Sequence, residues 1–126
     1  MEIKERLKKL GKMLDTLKGN WIFVEGKRDR VALEGLGLSN ILTISGNLRQ
    51  SCAIIADRKP EKVYVLTDLD RRGDELALRA RDELESCSIR ADLEMRRELA
   101  HMLRIRYFED AKTAYEKILK ESEEGY

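Results

Sequence analysis

Three short apolar runs, Trp21–Val24, residues 40–44 and residues 63–66, are separated by segments whose apolar residues recur every three or four positions. Runs this short, each followed within two residues by glycine or an acidic residue, suit strands buried on both faces rather than helices. Strands alternating with helix-period segments form βαβ units, which demand a parallel sheet, right-handed crossovers and helices on both faces. The expected architecture is therefore α/β and Rossmann-like, with about four mainly parallel strands.

Around that frame, Ile3, Leu7, Leu10, Leu14 and Leu17 make one apolar stripe, predicting an N-terminal helix that Gly19 terminates. Val31, Ala32 and Leu36 predict a short helix closed near Gly35 or Gly37. Leu48, Cys52, Ile55 and Ala56 predict another, followed by a connection holding Pro60, the only proline. After the third strand a helix carries Leu76, Leu78, Ala80 and Leu84. Ile89, Ala91 and Leu93 alternate with polar neighbours and predict a fourth strand nearer the sheet edge. Two C-terminal helices, at about 95–103 and 109–120, complete the reading.

A chain of 126 residues is the size of one domain, and 42% hydrophobic with 39% charged residues suits a core beneath a densely charged surface. One domain over 1–126 is expected, with a core at about 20–95 and helical extensions at 1–18 and 95–120. Twenty-five Lys and Arg against 24 Asp and Glu leave a net charge of +1, so a nucleic-acid site must come from local clustering. No apolar stretch approaches the ~20 residues of a membrane span, and residues 1–10 lack the pattern of a secretory signal. A cytoplasmic location is expected. Cys52 and Cys87 lack CxxC spacing and are read as packing thiols. With His101 the only histidine, His-based zinc chemistry is disfavoured and carboxylate chemistries remain.

Ligands of open parallel sheets bind beyond the carboxyl ends of the strands. Here those ends carry Glu25, Ser45-Gly46 and Asp68-Leu69-Asp70. Carboxylates crowded into one crevice raise one another's pKa, and a divalent cation relieves the repulsion. Oxygen-only ligands favour Mg²⁺, with Mn²⁺ an acceptable substitute. The competing reading is that Asp68 and Asp70 only cap the helix starting near Arg71. A single aspartate suffices for a cap, whereas two flank this turn after a buried strand, and the first strand also ends in Glu-Gly. Lys27, Arg28, Arg71 and Arg72 ring the same edge and could neutralise phosphates. Arg96, Arg97, Arg104 and Arg106 form a second basic stretch, read as the solvated face of an amphipathic helix. Asp29 either assists a metal or pairs with an arginine such as Arg30 or Arg72.

Val24-Glu25-Gly26-Lys27-Arg28-Asp29 followed by Thr67-Asp68-Leu69-Asp70-Arg71-Arg72-Gly73-Asp74-Glu75-Leu76 resembles the Toprim domain over roughly residues 20–95. That family includes primases, type IA and type II topoisomerases, nucleases and small ribosomal-RNA-maturing ribonucleases. The resemblance implies that Glu25 acts as general acid or base and joins Asp68 and Asp70 at Mg²⁺. It also implies that Gly26 and Gly46 match the motif glycines at which phosphate approaches. Leu69 departs from the proline common among the nearest versions. Topoisomerase chemistry needs a nucleophilic tyrosine, and Tyr64, Tyr107, Tyr115 and Tyr126 have no such context. Hydrolysis needs only activated water. The expected function is Mg²⁺-dependent phosphodiester chemistry on RNA or DNA, as a small endonuclease acting in RNA processing. The alternative is a non-catalytic binding module whose protein partner supplies the chemistry.

Overall fold

A computed structural model describes residues 1–124. Helix α1 (Ile3–Leu17) precedes β1 (Trp21–Val24), α2 (Lys27–Glu34), β2 (Ile41–Thr43), α3 (Leu48–Arg58), β3 (Lys62–Val65), α4 (Arg71–Ser86), β4 (Arg90–Asp92), α5 (Glu94–Leu103), a 3₁₀ turn (Phe108–Asp110) and α6 (Ala111–Glu124). The four strands form one all-parallel sheet in the order β2-β1-β3-β4. The α/β, Rossmann-like expectation holds, and β1 and β3 are direct neighbours, pairing Ile22 with Tyr64 and Phe23 with Val65.

Side chains alternate across a strand, so the sheet feeds two cores. Ile22, Val24, Tyr64 and Leu66 face α1, α2, α5 and α6, where Leu10, Leu33, Leu99 and Phe108 pack. Phe23, Val63 and Val65 face α3 and α4, against Cys52, Ile55, Ala80 and Leu84. The central strands are covered on both sides, which is why they read as continuous apolar runs.

Three readings need correction. Helix α2 spans Lys27–Glu34, leaving Leu36 of its expected apolar set outside, and it reaches back to Lys27 because the Asp29 carboxylate accepts from the Gly26 N–H at 3.0 Å and organises the first turn. Ile89 and Leu93 both lie outside β4, Leu93 as the N-cap of α5, whose first N–H groups at Glu94 and Met95 donate to Asp92 Oδ1 at 3.1 and 2.9 Å. Cys52 is a buried packing thiol, whereas Cys87 is exposed. Among the described residues, no helix is long and apolar enough to cross a membrane.

Candidate metal and phosphate site

Because β1 and β3 are adjacent and parallel, the residues after them emerge side by side at the carboxyl edge. Glu25 Oε1 accepts the backbone N–H of Asp68 at 3.3 Å, joining the two strand ends directly. Asp68 Oδ1 accepts from the Phe108 N–H at 2.9 Å, a contact spanning 40 residues. Asp70 is the N-cap of α4 and accepts from the Gly73 N–H at 2.7 Å. The capping alternative is thus correct for Asp70 and not for Asp68, whose partner lies outside α4.

The loop carrying these aspartates is anchored from below. Thr67 Oγ1 donates to the Gly73 carbonyl at 2.7 Å, and a Cβ at Gly73 would overlap the Asp68 carbonyl, so only glycine permits this approach. Leu69 exchanges backbone contacts with Arg106: its N–H donates to the Arg106 carbonyl at 2.8 Å and its carbonyl accepts from Arg106 Nε at 3.1 Å. Arg96, expected on a solvated face, is only 2% exposed. Its guanidinium donates to the Thr67 and Asp68 carbonyls and pairs with Asp74. The signal was present in the sequence: Arg96 stands in register with Leu99, Ala100 and Leu103, on the buried stripe of α5. Arg97 and Arg104 remain exposed as expected.

The carboxylates feel one another. Burial, then the Asp68 charge, raises Glu25 to about 6, with the Asp68 N–H bond opposing. Burial and the Asp68 charge likewise raise Asp29 to about 6. Asp68 is also raised by burial, partly offset by the Phe108 N–H. Asp29 is 6% exposed, and its partners are backbone N–H groups, that of Gly26 and that of Glu109, rather than an arginine. Asp29 shares the buried stripe of α2 with Ala32 and Leu33, again a legible signal. Glu109, whose charge also bears on Asp29 and Asp68, carried none.

Among the described residues, no three or more His, Cys, Asp or Glu side chains converge tightly enough to enclose a metal. Mg²⁺ keeps several waters and binds through one or two carboxylates plus substrate oxygens. Asp68 and Asp70 each engage Oδ1 in a backbone hydrogen bond, and a hard-cation donor set of oxygens alone fits such an open site.

Of the proposed phosphate-binding residues, Gly46 and Arg72 line a cleft of about 680 Å³ beside Glu25. Gly26, Lys27, Arg28 and Arg71 do not line it. Lys27 and Arg28 are exposed on the first turn of α2, and Arg71 pairs with Glu75 at 3.3 Å. Gly26 is extended at φ −144 with nothing within 4 Å of a Cβ, so its turn does not require glycine. Gly46 does, at φ +79. Arg49, Arg79 and Asn47 also line the cleft and were not singled out from the sequence. Tyr64 is buried in β3, and Tyr126 lies outside the described residues.

The all-parallel sheet and these acidic strand ends define a Rossmann-like domain whose ligand edge is built from carboxylates. A family model for the Toprim domain matches residues 20–102, and the chain belongs to that family. Membership carries a metal-dependent, nucleic-acid-related function with it. Relatives include a UPF0292 protein of Thermococcus gammatolerans, 39% identical over 81% of this chain and 78% of the relative. Another, from Thermococcus onnurineus, is 36% identical over 94% and 92%. A solved structure of a protein from Aquifex aeolicus superposes with a TM-score of 0.66 at 28% identity, covering 86% of this chain and 97% of that one.

Proposed function

We propose that the chain is a Mg²⁺-dependent endonuclease of the Toprim family acting on RNA or DNA, with RNA processing the favoured role. The observation that carries this reading is the pairing of Glu25 with the Asp68 backbone across two adjacent strand ends, which fixes an acid of raised pKa beside two aspartates. Asp68 and Asp70 would hold Mg²⁺, which when bound supplies Lewis-acid stabilisation of charge developing on phosphoryl oxygens. Glu25, with a pKa near 6, exchanges protons near neutrality and takes the general acid or base role. Arg72 stands at the cleft beside it, placed to offset phosphate charge.

The test is incubation of purified protein with structured RNA and with single-stranded DNA, in Mg²⁺ and in EDTA. Cleavage that requires Mg²⁺ and falls with Asp70→Asn supports the reading. Nucleic-acid binding with no cleavage of any substrate would favour instead a binding module served by a catalytic partner.

A further inference from the structure

The cleft beside Glu25 has two walls built from different elements. One is the turn between β2 and α3, where Gly46 is left-handed and Asn47 is the N-cap of α3 without using its side chain. Asn47 Oδ1 is buried and has no hydrogen-bond partner among the described residues. Proteins seldom leave such an acceptor unmet. The other wall is one face of α4, where Arg72, Leu76 and Arg79 stand at i, i+4 and i+7 and so form a row.

The charges on these walls are not equivalent. Glu75 is engaged by Arg71 at 3.3 Å, and Glu83 with Arg49 at 3.9 Å. Arg72 and Arg79 form no ion pair among the described residues. Seven helical steps separate them, roughly 10 Å, so the pair marks a track along α4 leading away from the acidic centre. Leu48 and Leu76 add apolar surface. Unpaired guanidiniums suit phosphate, the apolar surface suits a base or ribose, and the unmet Oδ1 suits a base amino group.

We infer that this cleft seats the nucleotide flanking the scissile phosphate of a single-stranded substrate. The inference rests on the phosphodiester reading above and extends it from the acidic centre to the path of the strand. The cleft lies within the ~300–1,000 Å³ range of small-ligand sites, room for roughly one or two nucleotides. Room for about one or two nucleotides favours a single strand over a duplex.

The test is fluorescence anisotropy with a labelled single-stranded RNA about ten nucleotides long, titrated over a salt series in EDTA so that no cleavage intervenes. Arg79→Ala should weaken binding roughly tenfold and reduce the slope of log affinity against log salt by about 0.7, one phosphate contact on a single strand. Arg90→Ala, a charge removed from the opposite edge of the sheet, should change neither. Arg79→Gln keeps the side-chain stem and replaces the alanine variant should that variant melt early. Wild-type binding by both Arg79 variants, or equal loss with Arg90→Ala, overturns the inference. So does tighter binding of the matching duplex. Displacement of the strand by ADP at comparable concentration would assign the cleft to a free nucleotide and overturn the strand assignment. A protein that cleaves nothing yet shows the Arg79 effect keeps the cleft and loses the nuclease reading. One that cleaves while Arg79 is silent does the reverse.

Discussion

The two sides of the sheet are built to different degrees. On one side α1, α2, α5 and α6 cover the central strands, and their core reaches the acidic loop itself through fully buried Phe108 and nearly buried Arg96. On the other, α3 and α4 alone cover the strands and leave a cleft between the start of α3 and the face of α4. The closed side fixes where carboxylates point; the open side leaves room for what they act on. A site that must hold mutually repelling charges needs such a back wall, because orientation has to be maintained against the repulsion.

The largest effect should come from the back wall. Phe108→Ala should cost about 3–5 kcal/mol, the usual range for emptying a buried phenylalanine site. It should also loosen Asp68, whose carboxylate depends on the Phe108 N–H. Denaturant melts check the stability, and Mg²⁺ titration of the remaining folded protein checks the loosening. Next is Arg96→Met, which removes donors from the Thr67 and Asp68 carbonyls. It should cost about 2–3 kcal/mol, while Arg97→Met, one residue along and exposed, stays within about 0.5 kcal/mol. Equal costs at 96 and 97 would break the contrast between a buried brace and a solvated face.

Asp70 separates capping from ligation. Asp70→Ala should lose about 1 kcal/mol of metal-free stability, whereas Asp70→Asn, still able to cap, should lose only a few tenths. Both should weaken Mg²⁺ binding. Loss of metal affinity in alanine alone would mean that the cap is the whole role of Asp70.

A pH series sharpens the electrostatics. Glu25 and Asp29 titrate near 6 in the folded chain, above ordinary values of 4.5 and 3.8. The folded state therefore binds more protons than the unfolded one. Their contribution to metal-free stability is full below the ordinary values and is lost as pH rises through about 6. A melting series across that window should show this decline, flattened in Asp68→Asn because Asp68 contributes to both shifts. A wild-type decline that Asp68→Asn leaves untouched would break the crowding account.

Much of this was legible in the sequence, for reasons particular residues make plain. β1 and β3 read clearly because both faces are buried and an acidic residue follows each run within two positions, so Glu25, Asp68 and Asp70 could be placed at one edge. β4 blurred because three residues at an edge give little periodicity, and Leu93 continues the alternation without belonging to the strand. Arg96 and Asp29 were misread or left open although each sits on an apolar stripe, since a charge on such a stripe reads as an interruption until its partners are known. The Phe108 and Arg106 contacts were not legible at all: each joins a side chain to a backbone group 37 to 40 residues away, and the backbone partner leaves no mark on residue type.

The closed side braces Asp68, whose N–H in turn fixes Glu25 as the proposed proton-exchanging group beside a metal that the aspartates would hold. The direct measurement is single-turnover cleavage by Glu25→Gln, paired with Mg²⁺ and RNA binding to the same preparation. The rate should fall by about 10²- to 10⁴-fold, with binding of both ligands largely retained. Wild-type cleavage by Glu25→Gln would contradict that role.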